Sequence, residues 1–321
     1  MKVLVTGASG LLGGAVAARI RAAGHQVRAF QRSPSTVPGV EDVRGSLTVA
    51  ADVDRAVVGM DAVVHLAAKV SLAGDPADFA QVNVVGTQRL LTAAARAGVT
   101  RFVQVSSPSV AHTGASIVGD GARPADPAHA RGDYARTKAQ AELLALAADG
   151  DAMSVVAVRP HIVWGPGDTQ LVARVVARAR AGRLPLLGGG RALIDTTYVD
   201  NAAAAIAAAL ERAADPVVHG NAYVVTNGEP RPVAEMLAGI CAAAGVQAPR
   251  WSIPAGLARV AGGAVEAVWR IRPGQDEPPM TRFLAEQLST AHWFDQRRTR
   301  ADLQWAPEVS IDEGLERLRA G

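Results

Sequence analysis

Thr6-Gly7-Ala8-Ser9-Gly10-Leu11-Leu12-Gly13 follows the short β-branched run Val3-Leu4-Val5-Thr6. It opens a helical stretch, Leu11 to Ala23, that ends before Gly24. Between a strand and a helix, three glycines have separate tasks. Gly7 permits a tight turn, Gly10 lets the backbone approach a pyrophosphate, and Gly13 lets helix and strand pack closely. The first N–H groups of the helix lack partners within it and face an anion with the positive end of the helix dipole. A glycine-rich turn alone is a weak sign, and its position between the first strand and the first helix makes it specific. The pattern predicts a dinucleotide held by Gly7, Ser9, Gly10, Leu11, Leu12 and Gly13.

Outward from this turn, strand and helix patterns alternate. Val27 to Phe30 reads as a second strand, Ala62 to Leu66 as a buried one, and Arg101 to Val105 and Met153 to Val158 as later ones. Helices read over Ala77 to Ala97, closed by Gly98, and over Tyr134 to Ala148. Such alternation predicts parallel crossover units, hence an α/β fold with a doubly wound parallel (Rossmann) sheet. After Pro160 the loops lengthen, and Pro273-Gly274 and Pro278-Pro279 break up the last third. Residues 1–160 are expected to form the nucleotide-binding domain, and residues 161–321 a smaller, mixed substrate lobe interleaved with the sheet.

Composition narrows the class. The 321 residues are 49% hydrophobic and 20% charged, as in a globular chain, and with only 4% aromatics the core must be built from Ala, Val and Leu. The net charge of +3 is spread among acids, with no basic run longer than Arg297-Arg298, which argues against a nucleic-acid partner. Cys241, the one cysteine, excludes an internal disulfide and reads as a small core residue within Leu237 to Ala244. The longest apolar stretch, Ala202 to Leu210, is about half of the roughly 20 residues a bilayer-spanning helix needs. Met1-Lys2 leads straight into the first strand without a signal-peptide pattern, so a cytoplasmic location is expected. The seven histidines show no paired ligand spacing, and no metal site is expected.

Two further patterns carry chemistry. An acid about 20 residues past the glycines would bind the ribose hydroxyls of NAD. Here the second strand ends Phe30-Gln31-Arg32-Ser33, and no acid comes before Glu41. Arg32 can pair with a 2′-phosphate that an acid would repel, so NADP(H) read by Gln31 and Arg32 is expected; the alternative is a solvated surface arginine. Tyr134 and Lys138 lie four apart at a helix start and share a face. An ammonium beside a phenol favours the phenolate and lowers its pKa, which suits Tyr134 to proton transfer. Ser106-Ser107-Pro108-Ser109 ends a strand where a doubly wound sheet places its crevice, and a serine there can hold a substrate oxygen or simply form a turn.

Taken together, these residues resemble the extended short-chain dehydrogenase/reductase family. The family's TGxxGxxG, strand-end HxAA and YxxxK patterns correspond to Thr6 to Gly13, His65-Leu66-Ala67-Ala68, and Tyr134 to Lys138. Asn83 to Thr87, Arg159-Pro160, Trp164 to Gly167, Tyr198 to Asn201 and Leu303 to Pro307 follow in the family's order. The resemblance implies Tyr134 as acid/base, Lys138 as the residue that binds the nicotinamide ribose and tunes it, and Ser107 as the catalytic serine, supported by Ser106 and Ser109. It implies a weaker role for Asn83 in ordering the surroundings of the lysine. It also places Leu66, Ala67, Ala68, Pro160 and Ile162 against the cofactor, with Ser46 and Leu47 toward the adenine. Ser46 is a departure, because an aspartate is usual there.

Within the family, Pro108 to Val110, Asn227 to Pro230, Thr281 to Leu284 and His292-Trp293 are similar to the 3β-hydroxysteroid dehydrogenase-like branch. That likeness implies NADPH-dependent reduction of a hydrophobic ketone. Most narrowly, a 2-alkyl-3-oxoalkanoate would become the 3-hydroxy acid in long-chain olefin biosynthesis. It further implies a homodimer through the helices Ala77 to Ala97 and Tyr134 to Ala148, and a place in a complex of pathway enzymes. Three alternatives stand beside it: a 3β-hydroxysteroid dehydrogenase, a nucleotide-sugar epimerase or dehydratase, and a non-enzymatic NADP-binding regulator. The missing acid after the second strand counts against the second, and the intact Ser107, Tyr134 and Lys138 set against the third. The apolar stretch Trp251 to Trp269 suits a hydrophobic substrate or is core of the second lobe. His65 reads as structural, and His161 either touches cofactor or substrate or is structural too.

Overall fold

In the computed structural model, which describes residues 1–71, 74–112, 114–271 and 281–320, alternation of side chains along each strand builds two hydrophobic layers on one sheet. On the first strand, Lys2–Thr6, Val3 and Val5 point to one layer with Val64, Val103, Val156 and Ile206. Leu4 points to the other, with Phe30, Val63, Leu90 and Phe102. The sheet has seven parallel strands in the spatial order Ala222–Val225, Ser154–Pro160, Arg101–Val105, Ala62–His65, Lys2–Thr6, Gln26–Gln31 and Glu41–Arg44. The chain builds outward from Lys2–Thr6 to one edge, then returns to fill the other side. The order therefore reverses between Lys2–Thr6 and Ala62–His65, and the crevice of a doubly wound sheet opens beyond the strand ends at that point.

The strand Glu41–Arg44 escapes the hydrophobic pattern because it is a charged, solvent-facing edge, the usual protection of a sheet margin. The stretch Ala202 to Leu210 is the centre of the helix Val199–Arg212, which packs its alanines against the helix Leu11–Ala22 under the sheet. Among the described residues no helix is long and apolar enough to cross a membrane.

The predicted helix Ala77 to Ala97 is not uniform. Asp75 caps it by accepting from the Ala77 N–H (2.9 Å), and Pro76 takes the first helical position, where its missing donor is harmless. Residues Ala80–Val85 then widen into a π-helical segment before the α-helix resumes over Gly86–Arg96. Such bulges are frequent at functional sites, and this one carries Asn83.

A third core lies outside the large sheet and joins Trp164, Val175, Tyr198, Met236, Ile240 and Ile311, with Cys241 fully buried as expected. A small mixed sheet orders Arg231–Pro232, Leu193–Ile194, His292–Phe294 and Ile117–Asp120 side by side. The stretch Trp251 to Trp269 is only partly core among its described side chains. Its helix, Ala255–Ile271, leaves Leu257, Val260 and Val268 exposed and buries Ala258 and Gly262 instead.

Candidate active site

The glycines divide as their chemistry requires. Gly7 has φ +77°, and a Cβ there would stand 3.0 Å from the Ala67 backbone. At Gly13 a Cβ would sit 2.1 Å from the Gly7 carbonyl oxygen, so helix and strand could not approach as they do. Gly10 differs: its backbone is extended and a Cβ would meet nothing nearer than 3.6 Å. No protein neighbour demands glycine at position 10. A ligand lying against its backbone would, and the helix beyond starts without a side-chain cap or an acid in its first turn. The cradle thus fits a dinucleotide pyrophosphate. Gly10→Ala should keep the melting temperature within about 2 °C, since the space is free, while weakening dinucleotide binding by about tenfold or more. Calorimetric titration checks the affinity, and unchanged binding would separate Gly10 from the ligand.

At the end of the second strand, Gln31 is buried with its Oε1 unpartnered. Arg32 beside it is exposed and holds no acid among the described residues. Strand pairing does bring an acid close, which counting along the chain overlooked. Asp42 accepts from Gln31 Nε2 (3.0 Å) and from the Ser35 N–H (3.3 Å). Ser46 donates its N–H to Asp52 (3.0 Å) and bonds Thr48 through its hydroxyl, while Leu47 packs under Gly86.

Thr6 closes the other wall. Its hydroxyl oxygen accepts the N–H groups of Leu66 (3.1 Å) and Ala67 (3.0 Å), holding Leu66, Ala67 and Ala68 at the crevice. Thr87 gives its hydrogen to the Asn83 carbonyl (2.6 Å), so it must accept from His65 Nε2 (3.0 Å). His65 Nδ1 then accepts from Thr6 (2.8 Å), which leaves one consistent tautomer. Burial, with Lys138 nearby, pushes the imidazole down to about 3 and keeps it neutral. His65 is structural, as read from the sequence.

The serine turn and the helix Gly132–Ala147 meet at the strand ends. Ser107 caps the turn Pro108–Ala111, and its Oγ accepts from the Ser109 N–H (3.2 Å) and from Ser109 Oγ (3.0 Å). With both lone pairs engaged, the Ser107 hydrogen is the one left to give, and Ser107 lowers the neighbouring Tyr134 phenol. Lys138 is buried and donates from Nζ to the Val105 carbonyl (2.6 Å). The expectation that the ammonium would lower the phenol is not met. Burial pushes Tyr134 up to about 12, and the Ser107 hydrogen bond opposes it only in part. Lys138 itself is pushed down to about 8 by burial, with Glu142 pulling the other way. Desolvation outweighs the pair interactions at both positions.

Asn83 reaches neither Tyr134 nor Lys138 through a hydrogen bond. Its side chain accepts the Lys69 N–H (2.7 Å) and donates to Thr137 (3.0 Å), tying the crevice wall to the helix Gly132–Ala147. Pro160 ends the strand Ser154–Pro160 and is buried, and beyond it Ile162 has φ +46°, which is strained for a β-branched residue. Such strain collects at ligand-binding positions. His161 donates to the Asp195 carbonyl (2.7 Å) and stacks edge-on against His292 and Phe294, a structural placement.

Residues 3–226 match the model of the NAD dependent epimerase/dehydratase family, two thirds of the chain. The chain belongs to this family. Its relatives include a 2-alkyl-3-oxoalkanoate reductase of Stenotrophomonas maltophilia, 43% identical over 326 residues, spanning all of this chain and 99% of that protein. A 3 beta-hydroxysteroid dehydrogenase/Delta 5-->4-isomerase of Mycobacterium tuberculosis is 32% identical over 333 residues, spanning 98% and 88% of the two chains. Among solved structures, a short-chain dehydrogenase/reductase superfamily protein of Agrobacterium tumefaciens with bound NAD superposes with a TM-score of 0.76 at 25% identity, covering 100% and 96%. The chain is therefore an extended short-chain dehydrogenase/reductase, an enzyme of the nicotinamide-dependent class.

In this epimerase/dehydratase-family chain one buried pair had gone unnoticed. Tyr134, Lys138 and Glu142 follow at four-residue steps on one helix, and Glu142 is fully buried against Arg159 of the neighbouring strand. The contact is bidentate, with Arg159 Nε donating at 2.8 Å, and Arg159 Nη1 also donates to the Arg123 carbonyl (2.7 Å). The four-residue spacing was visible in the sequence. The partner was not.

Proposed function

We propose that this chain is an NADPH-dependent reductase of a hydrophobic ketone, with a 2-alkyl-3-oxoalkanoate reduced to the 3-hydroxy acid as its substrate. The gathering of Ser107, Tyr134 and Lys138 at the strand ends carries the reaction class. The full-length likeness to a named 2-alkyl-3-oxoalkanoate reductase supports the substrate. When bound, the nicotinamide ring supplies a hydride to the carbonyl carbon. Tyr134 gives its phenolic proton to the carbonyl oxygen, and burial, which raises the phenol to about 12, keeps that proton in place until the oxygen gains charge. Ser107, oriented by the two donors of Ser109, presents its hydrogen toward the developing oxyanion. Lys138 carries the ammonium that holds the nicotinamide ribose. Residues after Pro160 supply the substrate lobe, and the oxidoreductase acts as a homodimer in a pathway of long-chain olefin formation.

The direct test supplies NADPH or NADH with a long-chain 2-alkyl-3-keto acid, a 3-ketosteroid and a UDP-sugar, and follows nicotinamide oxidation together with the sugar product. Rapid NADPH-specific turnover of the keto acid is the expected result. Turnover of the steroid alone would keep the site and change the substrate, whereas conversion of the sugar alone would replace the reductase reading. For cofactor choice, an exposed, acid-free Arg32 at the ribose end of the second strand supports NADPH. Arg32→Ala should raise the NADPH Michaelis constant by about tenfold, the scale of one charge-assisted pair, and leave the NADH constant nearly unchanged. An equal rise for both would remove Arg32 from cofactor selection.

A further inference from the structure

The helix Ala255–Ile271 exposes three large apolar residues to water. A helix on a globular surface buries its large apolar residues and turns its polar face to water. Here the buried positions are the small ones: Ala258 packs with Leu187 and Ala285, and Gly262 lies so close that a Cβ would stand 2.7 Å from the Thr281 backbone. Three large apolar residues face water, Leu257 61%, Val260 73% and Val268 57% exposed, while Val265 is half-buried. Spaced three and eight apart, with exposed Ala261 and Ala264 between, they form one stripe along the helix. Trp251 is 48% exposed four residues ahead of the helix. An apolar stripe of this length left in water marks a surface that something covers.

The charges around the stripe say what. Over the whole chain 33 basic residues nearly balance 30 acidic ones. Residues 236–265, however, contain Arg250 and Arg259 and no acid, Glu266 being the helix's one acid and followed by Arg270, and residues 169–194 contain five arginines and no acid. The two acid-free stretches are neighbours in the fold, because the strand Ser252–Ile253 pairs with Leu186–Leu187. Arg180, Arg183, Arg250 and Arg259 are all exposed, and none forms an ion pair with an acid among the described residues. With no acid in either stretch, these arginines leave this surface positively charged. An exposed apolar stripe with unpaired arginines and a tryptophan beside it matches an interfacial helix that lies in the plane of a bilayer. Cationic side chains there are drawn to anionic headgroups.

We infer that the helix Ala255–Ile271 and the arginines beside it dock this enzyme on an anionic lipid surface. The stripe enters the headgroup boundary, and Arg180, Arg183, Arg250 and Arg259 engage the phosphates. The inference rests on this surface alone and stands whichever ketone the site reduces.

Co-flotation of the full chain with phosphatidylcholine vesicles, with and without phosphatidylglycerol, tests it. The wild type should float with the anionic vesicles, bind the neutral ones at least tenfold more weakly, and be released by salt. The variant Leu257→Gln/Val260→Gln/Val268→Gln, altered only at exposed positions, should keep its circular dichroism and its turnover of a short water-soluble ketone. It should lose flotation by about tenfold. Arg250→Glu/Arg259→Glu should lose binding to the anionic vesicles alone. Absence of wild-type flotation, or flotation equal in the apolar variant, would overturn the inference. So would a stripe-dependent dimer that does not bind vesicles, since the stripe would then cover a second copy of the chain.

Discussion

Replacing Tyr134 by phenylalanine is expected to lower turnover by about 10²–10⁴-fold, the range that one positioned proton donor contributes. The ring keeps its packing, so NADPH affinity should stay within a few-fold of the wild type. The loss should appear in kcat and in kcat/KM alike, because the missing proton is transferred only as the carbonyl oxygen gains charge. Steady-state kinetics on the reduced ketone, with cofactor binding measured separately, checks both parts. Near-normal turnover would take Tyr134 out of the mechanism. A collapse of cofactor binding would instead make its role structural. Ser107→Ala should follow in the same direction, because the hydrogen that faces Tyr134 comes from a hydroxyl whose lone pairs are already engaged by Ser109.

Glu142→Ala is expected to destabilise the fold by about 3–5 kcal/mol, the cost of leaving one member of a buried ion pair uncompensated. The carboxylate is fully buried and the guanidinium of Arg159 nearly so, and water cannot replace the lost partner. Denaturant unfolding measures this directly. The double replacement Glu142→Leu/Arg159→Met should recover a large part of the loss, because the stranded charge and not the missing bond dominates the penalty. A double variant as unstable as Glu142→Ala would show instead that the Arg159 bond to the Arg123 carbonyl holds the region together. The pair sits one helical turn beyond Lys138, so the single variant should also alter the pH dependence of turnover, with Glu142 no longer raising the lysine.

Much of this was legible along the chain because it is local. The glycine turn, the four-residue step from Tyr134 to Lys138 and the strand-end serines depend on backbone conformation and on neighbours a few residues away. The strands were readable for the same reason, since Val3, Val5 and Leu4 alternate between two layers with a period set by the pleat. The predicted limits slipped where polar residues take structural places, as at the charged edge strand Glu41–Arg44 and at the π-helical turn around Asn83.

What the linear pattern left open turns on which groups are buried together. Spacing suggested that Lys138 acidifies Tyr134, yet burial raises the phenol and lowers the ammonium, and burial is a property of the assembled crevice. Asp42 lies beyond Arg32 in the chain but reaches Gln31 across a strand pair. Arg159 meets Glu142 from another element, and the tautomer of His65 follows from two threonines far from it in sequence. The helix Ala255–Ile271 shows the limit most plainly. Its apolar residues repeat as they would on any buried helix, and only the packing of Ala258 and Gly262 against neighbouring elements turned Leu257, Val260 and Val268 outward. Sequence periodicity says that a helix has an apolar face. The side on which neighbours can approach most closely determines whether that face is core or surface.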